Sequence, residues 1–177
     1  MTLYHGSYTE IKSPGLNYSR YNLDFGKGFY VTGLVTQAEK WAQRRVTMAK
    51  LLQNIQSAKP IVSVYELDFS KADLKVLAFD GYTEEWLDFV VQNRAQKRLV
   101  TNSEYDIIFG NVADDDVAAV VDDYMRLLAK DRIDPEGKRF FLQQLQFSRP
   151  NDQYCLATNK AIDRLEFVKS YNLGLGD

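Results

Sequence analysis

Three observations in this 177-residue sequence predict an α+β domain. Runs prone to β-structure lie near both ends, stretches with helical period fill the middle, and strand and helix do not alternate as regular βαβ winding requires. The length fits one domain. Residues 1–172 read as that domain and 173–177 as a short C-terminal tail.

Residues 2–5 read as a first strand, followed by a long loop through Asp24 rich in Gly, Ser, Asn and Tyr. Gly26-Lys27-Gly28 is a turn opening onto a second strand, Phe29-Tyr30-Val31-Thr32. Between Thr36 and Ile55 the apolar positions Ala38, Trp41, Ala42, Met48, Ala49, Leu52 and Ile55 recur at helical spacing. Pro60 stops that helix, and residues 61–67 (Ile-Val-Ser-Val-Tyr-Glu-Leu) form a strongly β-prone run, with 74–77 as a shorter one. Thr83-Glu84-Glu85 gives an acidic start to a helix that buries Trp86, Phe89 and Val90. Tyr105 to Phe109 is a strand closed by Gly110-Asn111. Val117, Val120, Val121, Tyr124, Leu127 and Leu128 make the cleanest amphipathic stripe, entered through Asp114, Asp115 and Asp116 at the positive end of the helix. A further helix carries Phe140, Phe141 and Leu145; residues 153–156 are a strand; Asn159 caps a short helix before a last strand at 165–168. The four prolines, Pro14, Pro60, Pro135 and Pro150, fall at junctions.

Composition removes several function classes. One cysteine, Cys155, cannot close an intramolecular disulfide, and one histidine, His5, cannot furnish half of a Cys/His zinc site. There is no Gly-x-Ser-x-Gly elbow for a serine hydrolase. No apolar run nears the ~20 residues that span a bilayer, and the start, Met-Thr-Leu-Tyr-His-Gly, lacks the pattern of a secretory signal. The expectation is a cytoplasmic protein, or an effector delivered without such a signal, with no membrane partner and no metal. A net charge of −2 gives no global basic field for nucleic acid. Two local groups, Arg44/Arg45/Lys50 and Arg94/Lys97/Arg98, read as solvated helix faces or as a nucleic-acid patch.

Three stretches hold residues suited to chemistry: Leu3-Tyr4-His5-Gly6-Ser7, Phe25 to Thr32, and Asn151-Asp152-Gln153-Tyr154-Cys155. Singly, each has an ordinary reading: a buried polar histidine, a tight turn too short for a P-loop, a strand end. In this order they resemble the NAD-binding core of the ADP-ribosyltransferases of the diphtheria-toxin and poly(ADP-ribose)-polymerase branch. Those enzymes carry His-Gly-Ser/Thr on the first core strand, Gly-Lys-Gly-x-Tyr on the second, and a Glu or its replacement near the C-terminus. More closely, nearly the full chain looks like an uncharacterised bacterial family grouped with that superfamily. That family also shares the Asp-Phe-Gly-Lys-Gly-Phe-Tyr-x-Thr, Tyr105-to-Gly110 and Gln153-to-Cys155 segments.

The resemblance implies a split β-sheet core with flanking and inserted helices, and NAD as substrate. His5 would hold a ribose hydroxyl on the adenosine side, Gly6 would offer backbone N–H and C=O to the nicotinamide carboxamide, and Tyr30 would stack on the nicotinamide ring. Ser7 and Gly28 complete the implied NAD-binding set. Trp41, eleven residues past Tyr30, either covers the opposite ring face or is a core residue; Arg20 either binds pyrophosphate or is a surface-loop arginine. Two departures stand out. Ala38 occupies the position of a carboxamide-binding serine, and Gln153 that of the glutamate, with Asp152 before it. Gln153 keeps a hydrogen-bonding group without the charge. Asp152, Asp114 and Asp115 are the acids that could compensate, the last two serving equally as helix-start residues.

The activity this implies is mono-ADP-ribosyl transfer from NAD to a macromolecular acceptor, protein or nucleic acid, by a bacterial toxin with a separately encoded antitoxin or by an effector. The alternatives are a catalytically inactive NAD- or partner-binding module and an NAD glycohydrolase.

Overall fold

The computed structural model describes residues 1–68, 73–95, 104–113, 115–145 and 151–174. The sequence assignments at Asp114, Lys97, Arg98, Pro150 and the last three residues of the tail lie outside these, as does the side chain of Asp115.

Seven strands and five α-helices are found among the described residues: β1 (Thr2–Ser7), β2 (Phe29–Val31), α1 (Val35–Gln53), β3 (Ile61–Leu67), β4 (Val76–Ala78), α2 (Glu84–Ala95), β5 (Ile107–Gly110), α3 (Asp115–Leu128), α4 (Pro135–Leu145), β6 (Gln153–Leu156), α5 (Asn159–Ile162) and β7 (Leu165–Asn172). The strands form two sheets, β1-β3-β7 and β2-β6-β5-β4; only β4 and β5 run parallel. The expected α+β class is what the chain adopts.

Strand alternation builds the layers. Leu3 and Tyr65 of the first sheet meet Phe29, Val31, Ile107 and Leu156 of the second in a core between the sheets. One residue along in each strand, Ile108 and Cys155 face the opposite way, and Tyr30 packs with them. They pack on Trp86, Leu87, Val117, Val121 and Leu145, so α2, α3 and α4 cover the outer face of the second sheet. Helix α1 covers the outer face of the first sheet through Ala38 and Ala42 against Val62. That approach is close enough that a Cβ on Gly6 would lie 2.0 Å from the Ala38 carbonyl oxygen and 2.6 Å from the Ala42 nitrogen.

The buried stripe of α1 is therefore Ala38, Ala42, Val46 and Ala49, while Met48 and Leu52, expected inside, are 44% and 73% exposed. Small side chains win the interface because only they let the helix backbone reach the strand. Phe140 also turns outward, leaving Phe141 and Leu145 as the buried face of α4. The cap of α5 is Thr158, whose side chain accepts from Ala161 N–H; Asn159 is the first helical residue. The last strand runs to Asn172, four residues beyond the β-prone run, because β3 offers a partner over its whole length.

A candidate site where the two sheets part

Among the described residues a single antiparallel bridge joins the sheets: Tyr4 and Thr32 exchange both backbone hydrogen bonds at 2.9 Å. Continued by two residues, this register would pair Gly6 with Tyr30. The ladder stops instead, because the His5 imidazole takes the Tyr30 carbonyl oxygen, with Nδ1 at 2.7 Å. A carbonyl only accepts, so Nδ1 carries the proton and neutral His5 keeps Nε2 as an acceptor. Gly6, two residues after Tyr4, turns its backbone N–H and C=O toward the same gap.

The His5 ring stacks on Phe29, centroids 4.6 Å apart and planes 26° off parallel. His5 is half-buried. Burial lowers its pKa below the ordinary 6.5; the hydrogen bond to Tyr30 opposes this and the Arg45 charge adds to it. Arg45, exposed on α1, is thus a cation that acts on His5 and had no individual role in the sequence reading.

Tyr30 meets His5 through its backbone, while its phenol turns to the opposite face of the sheet. There the hydroxyl donates to the Gly26 carbonyl at 2.6 Å and accepts from Phe25 N–H at 3.1 Å. Burial first, then neighbouring Cys155 and Asp24, push the phenol well above its ordinary pKa. Tyr30 pairs with Cys155, and Gln153 lies two residues along the same strand, so all three side chains share one face. Cys155 is buried and its thiol is pushed up to about 12, which leaves it unreactive. Its sulfur also explains Gly28, where a Cβ would come within 2.2 Å of it.

Gln153, only 3% exposed, donates from Nε2 to Asp24 Oδ2 at 3.2 Å and to the Asn111 carbonyl at 3.4 Å. Asp24 is a residue the sequence reading left without a role. Its Oδ1 accepts from Arg94 Nε and Nη2 at 2.9 and 2.7 Å, and its Oδ2 also accepts from Ala113 N–H at 3.0 Å. The available signal was its place at the head of the Asp-Phe-Gly-Lys-Gly segment.

The remaining expected residues divide. Asp152 accepts from Thr32 Oγ1 at 2.6 Å and Gly33 N–H at 2.9 Å, which ties β6 to the turn before α1. Ser7 is buried at the end of β1. Trp41 is half-buried and stands outside the core clusters. Arg20 is exposed and makes no ion pair among the described residues. A cavity of about 430 Å³, lined by Glu84, Tyr124, Lys138 and Leu142 among others, lies among α2, α3 and α4 and includes none of these residues. Among the described residues, no group of three or more His, Cys, Asp or Glu could hold a metal ion, and no helix is long and apolar enough to cross a membrane.

Compared with known proteins, residues 1–167 match the family described as "Protein of unknown function (DUF3990)". No curated protein and no solved structure matches the chain.

Proposed function

The chain belongs to the DUF3990 family, and from its own residues we propose that it is an NAD-dependent mono-ADP-ribosyltransferase. The observation that carries this reading is the interrupted ladder. His5 takes the Tyr30 carbonyl, and that leaves an imidazole acceptor and the Gly6 amide and carbonyl side by side at the gap between the sheets. A primary carboxamide needs one acceptor and one donor in that backbone arrangement, and a ribose hydroxyl needs an acceptor such as Nε2. The sheet divided in two, with β1 and β2 at the division, is also what the resemblance leads one to expect.

In this reaction the C–N bond between ribose and nicotinamide breaks, its electron pair neutralises the pyridinium nitrogen, and the acceptor's lone pair bonds the ribose carbon as the acceptor gives a proton to solvent. The leaving group is already activated, so the protein's work is positioning and electrostatics. His5 holds the ribose and Gly6 the carboxamide. Trp41, free of the core, is one aromatic face; the Tyr30 phenol becomes the other only on leaving its hydrogen bonds to Gly26 and Phe25, and Gln153, on the same face of the sheet as that phenol, meets the nicotinamide-side ribose. Ser7 and Gly28 shape the strand ends, and Arg20 and Arg45 are the cations offered to pyrophosphate. We further propose that the protein works as a bacterial toxin restrained by an antitoxin, or as an effector, on a protein or nucleic-acid acceptor.

The uncharged Gln153 favours a second reading, a module that holds NAD or a partner without turnover. Adenylate-labelled NAD separates these. The leading reading predicts labelled macromolecule with wild type and none with His5→Ala or Tyr30→Ala. Saturable binding without nicotinamide release supports the inactive module, and free ADP-ribose alone a glycohydrolase. Equal labelling by all three proteins would remove the site assignment.

A further inference from the structure

We propose that Asp24 is a positioning residue that fixes the orientation of the Gln153 amide and excludes a carboxylate from that position. The inference deepens the proposed function and rests on it for its catalytic consequence, but not for its geometry. The Gln153 nitrogen has two acceptors, the Asp24 carboxylate and the Asn111 carbonyl. Neither can donate, so the amide has one allowed orientation: nitrogen toward these two acceptors, Oε1 away from them. No buried side-chain nitrogen or oxygen among the described residues lacks a partner, and Oε1 makes no hydrogen bond, so Oε1 carries part of the small surface that Gln153 exposes. The side chain thus offers an acceptor only, and the group it receives is a donor such as a sugar hydroxyl.

Asp24 is itself immobilised. Its four hydrogen bonds come from Arg94 (two), Ala113 N–H and Gln153, which gather the loop before β2, α2, the segment after β5, and β6 at one carboxylate. Polarised by that anion, the amide presents a more negative Oε1 than a free glutamine does. The same anion stands 3.2 Å from the position a glutamate oxygen would take, so a glutamate there would face a like charge in a buried setting.

A glutamate at 153 therefore does not by itself raise the rate. Nicotinamide release is measured for wild type, Gln153→Glu, Asp24→Asn and Asp24→Asn/Gln153→Glu. The proposal predicts that Gln153→Glu alone is slower than wild type and melts lower, and that adding Asp24→Asn raises its rate by about tenfold or more. Asp24→Asn alone lowers kcat about 10²-fold with little change in KM, because the amide loses its orientation while NAD binding elsewhere persists. A Gln153→Glu protein that is faster than wild type whatever stands at 24 overturns the proposal. A second measurement needs neither variant nor NAD: the Gln153 side-chain amide protons of wild type must exchange slowly with solvent, and rapid exchange overturns the clamp. If wild type neither binds nor cleaves NAD, the functional reading fails, while the amide exchange and the melting of Gln153→Glu still decide the Asp24 contact.

Discussion

His5 Nδ1 lies 2.7 Å from the backbone carbonyl oxygen of Tyr30, in the place a ladder partner of Tyr30 would occupy. One side chain therefore ends the pairing between β1 and β2, selects its own tautomer, and leaves Gly6 unpaired on that side. Burial lowers the His5 pKa below 6.5. Below 6.5 the unfolded chain binds a proton that the folded one resists. The corresponding stability is present above pH 6.5 and is lost as pH falls through the folded value. The stability profile from urea unfolding should fall on the acid side of 6.5 in wild type and be flatter there in His5→Asn.

Asp106 gives a second acid limb at lower pH. Burial pushes its carboxyl up, but hydrogen bonds from Thr158 and Lys75 N–H, with the Lys160 charge, outweigh it and hold it below the ordinary 3.8. Its stabilisation is present above 3.8 and is lost as pH falls through the folded value. Asp106→Asn should remove that limb and leave the one near 6.5 intact, read again by urea unfolding.

Gly6→Ala should cost about 1–3 kcal/mol or more, because its Cβ meets α1 backbone that cannot rotate away. Gly15→Ala, whose Cβ would meet nothing within 4 Å, should be close to neutral. Urea midpoints of the two variants provide the comparison. The experiment also separates packing from ligand binding, since Gly6→Ala proteins that fold normally would contradict the tight α1 contact.

Gly28 and Cys155 should be energetically coupled. Gly28→Ala places a methyl 2.2 Å from Sγ and 2.9 Å from the Leu156 carbonyl oxygen. Combining it with Cys155→Ala removes the first clash and not the second, so the double variant should recover part of the loss, with a coupling of about 0.5–3 kcal/mol in a double-mutant cycle.

Arg94→Met leaves the Asp24 carboxylate in place without its main cation, and should cost about 3–5 kcal/mol. The other pair of the same guanidinium, with the largely exposed Asp122, should matter little, so Asp122→Ala is the control. Equal effects in denaturant melts would show that the Asp24 pair carries no special weight.

What the sequence disclosed, and what it hid, follows from range. The strands around Val64, Ile107 and Cys155, and the α3 stripe of Val117, Val121 and Tyr124, follow from local periodicity, and all are buried as that pattern demands. Helix α1 misled because hydrophobic size and burial part company there: Leu52 is large and outside, Ala38 and Ala42 small and inside. Asp24 heads the Asp-Phe-Gly-Lys-Gly segment, but its role was hidden there because its partners Arg94 and Gln153 lie 70 and 129 residues away. His5 and Gly6 were legible as a motif, but the stopped ladder that opens the gap depends on Tyr30, 25 residues on.

His5 is the sole histidine, so its ring nitrogens give unique signals in a sample labelled at histidine. Titrating NAD into that sample tests the account most directly. The account predicts a saturable shift of Nε2 while Nδ1 keeps the signature of its bond to Tyr30. An imidazole spectrum unchanged at saturating NAD would contradict it.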